Sequence, residues 1–116
     1  MTESLRVETT RGPDRSAVLR VEGEVDLATA DQLHAAVMAA LAEHDAVTLE
    51  LSHAMFFDAR GLHVLHAAHQ EAVRRGKPIP VLRGVRPLLA RALHAARMST
   101  LFTLEPAPPT PASAAP

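Results

Sequence analysis

VTLELSHAMFFDARGLHVLHAAHQEAVRR, Val47 to Arg75, reads as a strand, a tight turn and a helix, and the rest of the chain is arranged around it. Val47, Leu49 and Leu51 alternate with Thr48, Glu50 and Ser52, the two-residue period of a strand with one buried face. Asp58 then precedes a helical pattern. Its short acceptor side chain can cap the orphan backbone N–H groups of Arg60 and Gly61. From there Leu62, Leu65, Ala68 and Ala72, with Val64 alongside, make one apolar stripe at 3.6 residues per turn. His63, His66, Gln70 and Arg74 fall on the opposite side. This polar face and the Asp58–Gly61 turn form the candidate binding surface, because a turn at a strand's carboxyl end, above a helix N-terminus, is a natural binding position.

Working outward toward the N-terminus, Leu5, Val7 and Thr9 alternate with Arg6, Glu8 and Thr10 and end at the turn formers Arg11-Gly12-Pro13-Asp14. A second strand, Ser16 to Glu22, pairs with the first as an antiparallel hairpin with Ala17, Leu19 and Val21 inward. Thr29-Ala30-Asp31-Gln32 has capping-box form and opens a helix carrying Leu33, Val37, Ala40 and Leu41, which stops near Glu43 to Asp45.

Toward the C-terminus, Gly76 marks the end of the second helix. Ile79, Val81 and Leu82 predict a short strand, which Pro78 and Pro80 assign to a sheet edge or to irregular pairing because each removes a ladder donor. Pro87 fits a first helical turn, and Leu88, Leu89, Ala92, Leu93 and Ala96 make a third helix. Leu101 to Leu104 closes the domain. The order predicts an α/β domain over residues 1–104, with a mixed, mostly parallel sheet of four to five strands, an N-terminal β-hairpin and three main helices. The remainder, EPAPPTPASAAP over 105–116, has nothing to bury and is expected to be disordered.

Composition narrows the function classes. A formal charge of −1 with no Lys/Arg cluster leaves no electrostatic footprint for nucleic acid. The three Phe, without Trp or Tyr, offer little ring surface for stacking sugars or single strands. Without cysteine, disulfides and thiolate zinc sites are excluded. MTESLRVETT lacks the apolar centre of a signal peptide, and no apolar run is long enough to span a membrane, so a soluble cytoplasmic protein is expected.

His63-x-x-His66-x-x-His69 invites a metal reading, but no carboxylate or cysteine completes a ligand set, and the histidines read better as facing solvent or a partner. No phosphate loop or nucleophile elbow is present. Ser52, His53 and Asp58 could be assembled into a hydrolase only against strand geometry, since adjacent strand residues point to opposite faces. Neither an enzyme nor a cofactor is expected.

Two stretches read together carry a family resemblance: Gly23-Glu24-Val25-Asp26-Leu27-x-Thr29-Ala30 and Leu49-x-Leu51-Ser52-x-x-x-Phe56-Phe57-Asp58-Ala59-Arg60-Gly61-Leu62-x-Val64-Leu65. They resemble the STAS domain family, the small modules of anti-sigma-factor antagonists and sulfate-transporter tails. The resemblance runs from about residue 5 to 104, with the strand–Asp–x–x–Gly–Leu signature its most specific part. It implies a non-enzymatic regulator that switches partners. Such a domain binds an anti-sigma factor with a kinase-like ATP-binding domain, releases a sigma factor, and lets go when a Ser or Thr just before Gly-Leu is phosphorylated.

Here that position is Arg60, which cannot accept a phosphate as Ser or Thr does. The resemblance thus implies partner contacts at Asp26, Asp58, Ala59, Arg60, Gly61, Leu62, His63, His66, Gln70 and Arg74. It also implies a constitutive binder, or one switched otherwise, with Ser52 the nearest hydroxyl. Arg60 is expected to pair with Asp26. Arg97, where the family commonly has Gly, is expected to lengthen the third helix by part of a turn. The alternative is a structural STAS subunit of a transporter or signalling complex, and a homodimer through the exposed hairpin is left open.

Overall fold

The computed structural model describes residues 4–107. The strands are β1 (Leu5–Arg11), β2 (Ser16–Val25), β3 (Ala46–Phe57), β4 (Val81–Val85) and β5 (Thr103–Pro106); the helices are α1 (Ala30–Glu43), α2 (Ala59–Arg74) and α3 (Pro87–Ala95). They form one sheet in the order β1-β2-β3-β4-β5, antiparallel at β1–β2 and parallel thereafter. Each parallel step is bridged by a helix, the connection parallel strands require.

The inward residues are those that strand alternation predicts. Ala17, Leu19 and Val21 of β2 and Val47, Leu49 and Leu51 of β3 are buried, joined by Leu82 of β4. Against them pack Leu33, Val37 and Leu41 of α1, Val64, Leu65, Ala68 and Ala72 of α2, and Leu89 and Leu93 of α3. Polar residues fill the other side of the strands, where Arg20–Glu22 and Arg83–Glu105 make exposed ion pairs that contribute little to stability.

Four expectations are corrected. The Val81 strand lies inside the sheet between β3 and β5, not at an edge; Pro78 and Pro80 both precede it and cost it no ladder donors, while the irregular pairing offered beside the edge does occur, as a register slip against β5 between Arg83 and Val85. Leu88 leaves the third-helix core set: α3 turns Leu89 and Leu93 inward, and Leu88, beside them, is 77% exposed. The capping box at Thr29 does not form. Its side chain makes no cap bond to the helix, as the site geometry below explains. The strand that closes the domain runs to Pro106, two residues past the expected boundary at 104; the rest of the expected tail, from residue 108, lies outside the described residues.

Arg97 is the fifth difference. It does not lengthen α3 but takes the left-handed position after it, at φ 60°. Arg97 N donates to His94 O and Met98 N to Leu93 O, at 3.0 and 2.8 Å. This is the paired closure that Gly76 makes after α2, through Gly76 N to Val73 O and Lys77 N to Ala72 O. The last carbonyls of α3 and burial of Met98 favour the turn strongly enough that a non-glycine residue is held where left-handed φ is unfavourable.

Candidate functional site

β2 and β3 end side by side, and the two turns that follow them bound the candidate site. Asp58 N donates to Val25 O at 3.1 Å, so the β2–β3 ladder leads directly into the start of α2. The Asp58 carboxylate then accepts from Arg60 N at 2.8 Å and Gly61 N at 3.3 Å, the predicted cap. Gly61 is buried under Phe57: a Cβ there would stand 2.8 Å from Phe57 Cε1, so this position has no room for a side chain. The turn is thereby fixed while Ala59 and Arg60 stay exposed on its outside.

The second turn is built differently. Thr29 is buried, and its hydroxyl donates to Glu24 O at 2.7 Å and accepts from Asp26 N at 3.0 Å. The Asp26 carboxylate accepts from Ala28 N at 2.9 Å and lies 3.2 Å from Thr29 Oγ1. Those bonds explain both the missing capping box and the failure of the expected Asp26–Arg60 pair. Asp26 is turned back onto its own loop, and no carboxylate among the described residues forms an ion pair with Arg60.

α1 and α2 lie next to one another, and a groove of about 280 Å³ runs between them. It brings together Arg60, His63, His66 and Gln70 of α2 with Asp31 and His34 of α1. The α2 half was legible from helical periodicity. The α1 half was not, because nothing local in Asp31 or His34 says which helix will lie alongside.

Arg74 stays outside the groove and is already engaged. Its Nε and Nη2 donate to Glu71 at 2.9 and 2.7 Å, with Arg75 on the same carboxylate. The Arg74 hydrogen bonds, and then those of Arg75, hold the Glu71 carboxyl down at about 2. His69 also leaves the histidine series, packing edge-on against Phe102 with ring centroids 5.8 Å apart. Ser52 is not in the turn at all: it lies within β3, and its hydroxyl donates to the Glu50 carboxylate.

An apolar feature escaped the sequence reading. Along the end of β3 the register against β2 slips between Arg20 and Glu22 and again between Gly23 and Glu24. Each slip adds a β3 residue and breaks the alternation. Met55 and Phe56 are consequently 70% and 51% exposed. Together with Arg86, Pro87 and Leu88 they line a depression of about 510 Å³ at the start of α3. The signal present in the sequence was the run Ala54-Met55-Phe56-Phe57, too apolar on both parities for a strand with one wet face.

A protein-family model described as Mlab, STAS domain matches residues 8–105. Among solved structures, the chain is similar to an anti-sigma factor antagonist from Mycobacterium paratuberculosis, with 30% identity over 96% of this chain and 91% of that one, at a TM-score of 0.72. The Bacillus cell fate determinant SpoIIAA in its phosphorylated form shares the fold at 14% identity, covering 94% and 96% of the two chains at a TM-score of 0.68. A sulfate transporter family protein from Wolinella succinogenes does so at 21% identity, with 83% and 80% covered and a TM-score of 0.69. No curated protein matches the sequence.

Proposed function

The chain belongs to the STAS domain family, and we propose that within it this protein is a non-enzymatic, protein-binding regulator of the anti-sigma-factor-antagonist type. It docks an anti-sigma factor with a kinase-like ATP-binding domain through the Asp58–Leu62 turn and the His63/His66/Gln70 face of α2, and so frees a sigma factor in the cytoplasm. Asp26 supports this surface from the neighbouring turn, and Arg74 lies at its far end. The observation that carries the reading is the turn itself. Asp58 and Gly61 hold its backbone, and that leaves the Arg60 side chain exposed for contact.

Arg60 stands where phosphorylation would release the partner, and it brings a permanent positive charge in place of a hydroxyl. Ser52 is a poor substitute acceptor, since it is only partly exposed and hydrogen-bonded to Glu50. The complex is therefore constitutive with respect to ATP. Co-purification with tagged wild-type and Arg60→Ser protein tests this. The wild type is expected to retain an ATP-binding kinase-like protein with or without ATP, and the variant to release it only when ATP is added. Phosphate found on the wild-type turn after incubation with that kinase would overturn the reading.

A second reading, a structural STAS subunit of a transporter or signalling complex, has in its support the fold shared with a sulfate transporter family protein. Recovery of a transporter ATPase in the same experiment, in place of the kinase-like protein, would select it.

A further inference from the structure

The groove between α1 and α2 has a composition that points to one kind of ligand. Arg60, His63 and His66 line it from α2, and His34 lines it from α1; Gln70 adds an amide, and Asp31 is its single carboxylate. No carboxylate among the described residues forms an ion pair with Arg60, His34, His63 or His66. Three imidazoles and a guanidinium thus face one concavity without a counter-charge bound to any of them. Nor does the α2 N-terminus take up that role, because the Asp58 carboxylate already occupies its first N–H groups.

Metal binding is the obvious alternative for three histidines. Among the described residues, however, no three His, Asp or Glu side chains converge as a ligand set. The size of the groove decides the scale of the ligand. At about 280 Å³ it falls just below the range of roughly 300–1,000 Å³ that encloses a drug-sized molecule, which leaves it to a small ligand or to one charged group of a larger one. It suits a single oxyanion.

We infer that the α1–α2 groove is an oxyanion-binding site, taking a carboxylate or phosphoryl group. The inference rests on the partner-docking reading in one respect: the group it receives in the cell is carried by the docked protein. Arg60 brings a permanent positive charge to the groove, and the Gln70 amide and the ring N–H groups of the three histidines supply further donors beside the single carboxylate of Asp31. No other charged group lines the groove from either helix.

The test uses the isolated chain and two probes, sulfate and acetate. NMR titrations follow the imidazole and amide signals of residues 31–34 and 60–70. Saturable sulfate shifts at His34, His63 and His66 are expected. They should be weakened severalfold in Arg60→Ala and in His63→Ala, and unchanged in His94→Ala, which alters an exposed histidine on α3.

Saturation by sulfate alone assigns the groove to phosphoryl groups, and saturation by acetate as well assigns it to acidic side chains. Shifts that rise linearly with salt, or that persist equally in both groove variants, overturn the inference. That result would leave partner capture untouched, whereas a failed capture would leave the anion titration standing, so the two readings fail separately.

Discussion

The two helix starts that flank the groove use the same kinds of residue for opposite ends. At α1, Thr29 and Asp26 are spent on their own loop, with Thr29 buried and bonded to Glu24 O and Asp26 N. At α2, a single carboxylate, Asp58, does the capping, and the next side chain, Arg60, has no ion-pair partner among the described residues. One wall of the site is locked from within. The other is held by its backbone and presents its side chain outward. The difference separates residues that keep the site in shape from residues that can meet a partner, and it predicts how far stability and binding come apart on mutation.

The largest effect is expected on the locked side. Thr29→Val keeps the shape but removes a buried hydroxyl that serves one part-buried backbone donor and one carbonyl, which costs about 2 kcal/mol. Urea unfolding followed by circular dichroism should show a clear fall in midpoint with an unchanged slope. A loss below about 0.5 kcal/mol, the range of an ordinary surface change, would break the contrast. Asp58→Ala should cost less, about 1 kcal/mol, the usual value of one N-cap, because Gly61 and Phe57 still hold the turn by packing. A loss as large as that of Thr29→Val would mean that the α2 turn depends on its side chain as the α1 turn does.

Much of this division was legible before any coordinates. Asp58 as a cap, the buried stripe of α2 and the hairpin all follow from local pattern, since each depends on neighbours within a few residues. The errors share the opposite cause. Thr29 fits a capping box locally, but burial gave its hydroxyl better partners at Glu24 and Asp26. Arg97 disfavours left-handed φ locally, but closing α3 onto Met98 outweighed that preference. The Val81 strand was assigned to an edge or to irregular pairing from its prolines, and the edge half fails because β5, which covers it, is only four residues long and is announced by no turn signal.

The site was half visible for the same reason. Periodicity placed His63, His66 and Gln70 on one face and the turn before them added Arg60, but only the packing of α1 beside α2 adds Asp31 and His34. Arg74 was placed on the partner-binding face by polarity alone, whereas its guanidinium is engaged by Glu71, three residues away on the same helix.

The smallest stability effect belongs to Arg60, and it carries the most direct test. Arg60→Glu exchanges a positive for a negative charge in the first turn of α2, where the helix dipole favours anions by about 0.3–1 kcal/mol. The unfolding midpoint should therefore stay level or rise slightly. Isothermal titration of this variant and of wild type against the co-purified partner is the deciding measurement. The expected result is a folded variant whose affinity falls about tenfold or more, the cost of truncating and reversing a charge at an interface. Equal affinities from the two proteins would show that the exposed guanidinium at the start of α2 plays no part in docking.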